Sequence, residues 1–114
     1  MEEYDVVIAG AGPAGLTAGI YAGRDGLKAL VLEKALKGGM GSTAPLVMNF
    51  PAFKSITGME LLKKIGEQAS YYVKIRESEE IKSVEKTPDR VVVRTDKNEY
   101  SAKAFIITTG TKYR

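Results

Sequence analysis

The sequence predicts an α/β fold, a doubly wound parallel sheet carrying a small antiparallel β-meander. Three observations predict it. Val6-Val7-Ile8-Ala9 is a continuous apolar run, as in a strand covered on both faces of a parallel sheet. Gly10-Ala11-Gly12-Pro13-Ala14-Gly15 follows at once and opens a helical stretch, and Glu33 ends a second apolar run eighteen residues after Gly15. From residue 73 onward, short alternating segments replace helical spacing.

Taken in order, the apolar run 4–9 is the first strand. Pro13 falls in the first helical turn, where its missing N–H costs nothing. The helix is predicted over 13–25 and stops at Gly26. Ala14, Ala18 and Ala22 recur every four residues beside Gly15, Gly19 and Gly23, a face of very small side chains that lets the helix lie close to the sheet. Each mid-helix glycine costs roughly 1 kcal/mol of propensity, which close packing offsets. Lys28-Ala29-Leu30-Val31-Leu32-Glu33 is the second strand.

Residues 34–56 form a long irregular stretch with Gly38, Gly39, Gly41, Pro45 and Pro51, a length that points to a ligand role or mobility. Thr57 and Glu60 have capping-box spacing, and a helix over 58–72 places Met59, Leu62, Ile65 and Ala69 on one face. Segments 73–75, 81–85, 90–95 and 99–103 are expected to form the antiparallel layer, the last two joined by an Asp96-Lys97-Asn98 turn. A further apolar strand, Ala104-Phe105-Ile106-Ile107-Thr108-Thr109, ends at Gly110. The whole of 1–114 is read as one domain.

The chain is 44% hydrophobic and 27% charged, as expected of a globular domain rather than a disordered one. Its 17 basic and 14 acidic residues are interspersed, so neither a nucleic-acid arm nor a membrane-binding patch is expected. No apolar run reaches spanning length. The acidic start, Met1-Glu2-Glu3-Tyr4-Asp5, is unlike a targeting peptide, and a cytoplasmic location is expected. There is no cysteine and no histidine, which removes disulfide, thiolate and imidazole chemistry. Glu77, Glu79 and Glu80 are expected to form a solvated acidic turn rather than a metal site, and no metal is expected. Tyr71 and Tyr72 are read as half-buried packing residues.

The chemistry that suits this pattern is the binding of an adenine dinucleotide in a Rossmann-like unit. A pyrophosphate is bulky and anionic. Gly10 and Gly12 clear its path, the amides opening the following helix point at it, and Gly15 lets helix and strand approach. The helix dipole adds roughly 0.3–1 kcal/mol per charge. Glu33 can accept hydrogen bonds from ribose hydroxyls and would repel a 2′-phosphate, which disfavours NADP. This unit alone leaves NAD and FAD open. The Gly38-Gly39-Met40-Gly41 turn, which can bring backbone against a flat ring system, and the second strand ending at Gly110 favour FAD.

Gly10 to Gly15, Glu33, Lys37-Gly38-Gly39, Asn49-Phe50-Pro51 and Ile107-Thr108-Thr109-Gly110, in this order and spacing, resemble the FAD-binding half of thioredoxin reductases. These belong to the pyridine nucleotide–disulfide oxidoreductase group. The resemblance implies that Gly10, Gly12, Ala14 and Gly15, with Pro13 in the same turn, hold the FAD pyrophosphate. It implies Glu33 on the adenosine ribose with Lys34 beside it, and Gly38, Gly39 and Met40 along the flavin and its ribityl chain. Asn49 would lie near the isoalloxazine, Ile81 at the adenine, and Thr109 and Gly110 on the other side of the cofactor.

Three positions depart from the family pattern: Met40 stands where Gln is common, Met48 where an acid is common, and Thr108 where Ala is common. Complete members continue into an NADPH-binding domain with a C-x-x-C and then return to finish the FAD domain. The sequence therefore reads as an incomplete, FAD-binding portion of an FAD-dependent oxidoreductase. No catalytic residue is expected in it, and it is not expected to turn over alone. The strand that in the family lies beside residues 104–109 is also missing. The edge from Ala104 to Thr109 is expected to drive self-association, and FAD affinity is expected to be weakened. A nucleotide-binding or scaffold module without turnover, natural or engineered, and the NAD-binding domain of another dehydrogenase remain alternatives.

Overall fold

The computed structural model describes residues 1–35, 51–52 and 54–109. Within them, β1 (Glu2–Ala9), α1 (Pro13–Arg24) and β2 (Ala29–Leu32) form the first β-α-β unit. They are followed by α2 (Gly58–Ser70), β3 (Lys74–Arg76), β4 (Ile81–Lys86), β5 (Val91–Thr95) and β6 (Glu99–Ile107). All six strands join one sheet, in the order β3-β2-β1-β6-β5-β4. The pairs β3·β2, β2·β1 and β1·β6 are parallel, and β6·β5 and β5·β4 are antiparallel.

Two expectations about the strands are corrected here. The segment after α2 does not belong to the antiparallel layer; as β3 it extends the parallel half, with Val31 opposite Ile75. Its alternation reflects an edge position, which leaves it half-exposed like a meander strand. The segments read as strands at 99–103 and 104–109 are one strand, β6, whose first part pairs with β5 and whose whole length pairs with β1.

By pairing order β3 and β4 lie at opposite edges, yet only residues 77–80 join them. Five Cα steps reach about 18 Å at most. Six strands laid flat would separate the outer two by about 24 Å. The sheet therefore curls, and the antiparallel half folds over one face of the parallel half. Two cores result. On the helix face, Val6, Ile8, Ala29 and Val31 pack with Leu16, Leu61, Leu62, Ala69 and Val73. On the other face, Val7, Leu30 and Leu32 pack with Val93, Tyr100 and Ala102.

The helices follow their local chemistry. Pro13 is the first residue of α1 and Gly12 its N-cap, with no side-chain cap. Gly26, at φ +81°, ends α1: its N–H donates to Gly23 O and that of Leu27 to Ala22 O, a Schellman arrangement one residue earlier than the predicted end. Of the small-residue stripe, the glycines do the close packing. A Cβ on Gly19 would meet Val73 Cγ1 at 2.8 Å and one on Gly23 would meet Tyr72 O at 2.2 Å, so α1 lies against the end of α2 as well as the sheet. Thr57 Oγ1 accepts from Glu60 N at 3.1 Å and caps α2. Its buried face is Gly58, Leu61, Leu62, Gly66 and Ala69. Met59, expected on that face, is 70% exposed, and Tyr71, expected to be half-buried, is 89% exposed.

One polar network crosses the fold. The Arg76 guanidinium donates to both carboxylate oxygens of Glu2 (2.9 and 3.0 Å) and to the Tyr100 hydroxyl (2.6 Å). Tyr100 in turn donates to Glu79 Oε2 at 2.5 Å, which also accepts from Thr95 Oγ1 at 2.7 Å. Of the three acids expected in a solvated turn, Glu79 is buried at 3% exposure, Glu77 is half-buried and Glu80 is exposed. Burial, with the bond to Glu79, raises the Tyr100 hydroxyl above its ordinary pKa. Burial and Glu2 push Tyr4 up to about 12, so both phenols stay protonated donors at neutral pH.

Candidate functional site

Parallel sheets place ligands beyond the carboxyl ends of their strands, and the glycine-rich turn stands there, between β1 and α1. Gly10 has φ +103°, a conformation that side chains rarely adopt. A Cβ on Gly10 would come 2.4 Å from Thr108 O, and one on Gly15 would come 1.8 Å from Gly10 O. Gly15 is buried beneath the turn, which is the close helix–strand approach expected of it. Gly12 differs: nothing lies within 4 Å of its Cβ position. Gly12 and Ala14 have N–H groups with no acceptor among the described residues, and Pro13 has none to offer. The turn thus presents free donors, a positive helix end and open space together, which fits a diphosphate.

Glu33 follows β2 at the same end of the sheet. Its Oε1 accepts from Ala11 N and its Oε2 from Ala35 N, both at 2.9 Å. Its backbone is held as well, since its N–H donates to Arg76 O and its carbonyl accepts from Glu79 N. Each carboxylate oxygen keeps a further lone pair for a sugar hydroxyl. The Ala11 amide, by contrast, is committed to Glu33 and is not offered to a phosphate.

Gly10, Glu33, Lys34, Ile81 and Thr109, all singled out in the sequence, line one cleft of about 380 Å³. Gly12, Pro13 and Ala14 sit on the adjoining turn. Gly38, Gly39, Met40, Asn49 and Gly110 lie outside the described residues. Sequence reasoning missed four further lining residues: Ala9, Leu32, Glu79 and Glu80. The two glutamates arrive because the short 77–80 link crosses this end of the sheet, which no local pattern signals. Lys82 Nζ, 2.7 Å from Glu80 Oε1, holds the Glu80 carboxyl below its ordinary value, so Glu80 is charged at neutral pH. With Glu33 it gives the cleft two carboxylates that can accept from hydroxyls and base edges, beside Lys34 and with Glu80 paired to Lys82. No group of residues that could hold a metal occurs among the described residues. Nor is any described helix long and apolar enough to cross a membrane.

The fold recurs in known proteins. A thioredoxin reductase of T. acidophilum superposes with a TM-score of 0.96 at 46% identity, over 100% of this chain and 38% of that one. The Lactococcus lactis enzyme gives 0.93 at 35% identity, over 97% and 37%. Thioredoxin reductase of Bacillus subtilis (strain 168) is 40% identical over 111 residues, 97% of this chain and 35% of that protein. A 34.2 kDa protein in the rubredoxin operon of Clostridium pasteurianum is 44% identical over 114 residues, 99% of this chain and 37% of that protein. The chain thus spans about a third of the length of the curated relatives it matches. The family model for pyridine nucleotide-disulphide oxidoreductases matches residues 4–114, and the chain belongs to that family.

Proposed function

We propose that this chain is the FAD seat of a thioredoxin reductase-like oxidoreductase. The observation that carries the reading is the open turn at Gly12, bordered by the carboxylate of Glu33 in the same cleft. The diphosphate would lie against the amides of Gly12 and Ala14, and the adenosine ribose against Glu33. The adenine would lie toward Ile81, and Thr109 would border the cofactor from the β6 side. In a complete enzyme of this kind the flavin would take a hydride from a nicotinamide and pass reducing equivalents to a disulfide. The role of these residues is to bind and orient it.

Titrating the purified chain with FAD, and separately with NAD and NADP, tests the reading. Flavin fluorescence should be quenched on binding, NAD should bind more weakly, and NADP should bind least because Glu33 opposes its phosphate. Unquenched FAD, or NAD bound more tightly, would favour the dehydrogenase-domain alternative. No NADPH oxidation is expected from the chain alone.

Self-association through β6 is the companion reading. Past Ala102, β6 has β1 on one side and no partner on the other among the described residues. Ile106 is 40% and Ile107 72% exposed there. Such an edge invites a further strand. A second copy fits: in an antiparallel pair centred on Phe105, each Lys103 faces an Ile107 and no like charges are opposed. Sedimentation should show a dimer that Ile107→Lys dissociates. A monomer at high micromolar concentration would overturn this.

A further inference from the structure

We propose that Thr108 is a positioning residue that fastens the glycine-rich turn in its ligand-ready shape. Its hydroxyl donates to Ala9 O at 2.8 Å and Gly10 O at 3.0 Å, one hydrogen shared between two carbonyls. Its own N–H also donates to Ala9 O at 2.8 Å. Among the described residues no other donor reaches Gly10 O. The fastening sits at the positive-φ Gly10, whose N–H is already tied to Leu32 O at 2.8 Å, so that the Thr108 hydroxyl holds the carbonyl side of the same residue. Gly15 makes room for it, since a Cβ there would come 2.6 Å from Thr108 Oγ1. The end of β6 is thus tied to the start of the β1–α1 turn, and through Ala11 to Glu33, which accepts from the Ala11 amide. With the hydroxyl in place, the amides of Gly12 and Ala14 stand ready before a ligand arrives, and the ordering cost of binding falls.

The inference rests on the FAD reading for its ligand, but the fastening can be read without one. Thr108→Val keeps the side-chain shape and removes the hydroxyl, Thr108→Ser restores the hydroxyl, and Thr108→Ala serves if the valine variant folds poorly. In the ligand-free chain, amide hydrogen exchange at Gly10 and Ala11 should speed up about three- to tenfold in the valine variant, the value of one net hydrogen bond. The FAD dissociation constant should rise by about the same factor, and serine should return both toward wild type. The global melting temperature should fall only by the few degrees that one hydrogen bond is worth in a domain of this size, whereas a merely structural role would lower it without a selective rise in exchange at Gly10 and Ala11. Unchanged exchange, a loss of affinity without a change in exchange, or failure of serine to rescue would each overturn the fastening. If exchange responds as expected while the wild-type chain binds no FAD, the fastening stands and the FAD reading falls.

Discussion

Gly15→Ala is expected to lower the melting temperature of the chain by about 10–20 °C, the consequence of roughly 3 kcal/mol in a domain of this size. The added methyl would lie 1.8 Å from Gly10 O and 2.6 Å from Thr108 Oγ1. The nearer atom is backbone, held by the turn between β1 and α1, and cannot swing aside. Helix α1 must lift from the sheet instead, which loosens Leu16 and the core beneath it. Gly19→Ala provides the contrast. Its methyl would meet only the side-chain atoms Val73 Cγ1 and Val31 Cγ2, at 2.8 and 3.3 Å. A rotamer adjustment can absorb part of that, and alanine regains roughly 1 kcal/mol of helix propensity. Thermal melts followed by circular dichroism separate the two. A Gly15→Ala variant melting within two or three degrees of wild type would show that the turn yields.

Gly12→Val is expected to do the opposite: leave the fold nearly intact and abolish FAD binding. Gly12 has φ −78° and ψ −171°, a conformation open to any residue, and space where a side chain would go. Valine is a poorer N-cap, at a cost of about 1 kcal/mol at most. The new side chain would stand where the diphosphate approaches the first-turn amides. Losing one or two charge-assisted hydrogen bonds should weaken FAD by about a hundredfold or more. Fluorescence titration beside a thermal melt reads both quantities at once. Tight FAD binding by a stable Gly12→Val chain would place the diphosphate elsewhere.

What the sequence revealed and what it hid divide along a physical line. The β-α-β unit was legible because its signals are local: an uninterrupted apolar strand, Pro13 at a helix start, a glycine past the helix end, and an acid at the next strand end. Both helices and the Asp96-Lys97-Asn98 turn were legible for the same reason. Pairing was not. Whether 74–76 joins β2 or the meander depends on where α2 delivers the chain, and alternation looks the same at a parallel edge and in an antiparallel layer. The union of 99–107 into one strand was hidden because its first half mixes polar and apolar residues while its second half is wholly apolar, although it is Tyr100, Ser101 and Ala102 in the first half that are buried. In the site, Gly10, Glu33, Lys34, Ile81 and Thr109 were legible from motif and resemblance. Glu79 and Glu80 were not, because their place follows from the curl of the sheet. Nor was the grip of Thr108 on the turn, which joins residues ninety-eight positions apart.

The double engagement of Glu33 has a practical consequence for anyone wishing to retarget this fold to another coenzyme. The obvious swap, an arginine to welcome a phosphorylated sugar, would strip two amides of the acceptor that now satisfies them, those of Ala11 and Ala35. A redesign confined to that one codon would therefore damage the scaffold before it altered selectivity. A workable exchange would need a replacement acceptor for both amides, supplied from a neighbouring position, in the same step.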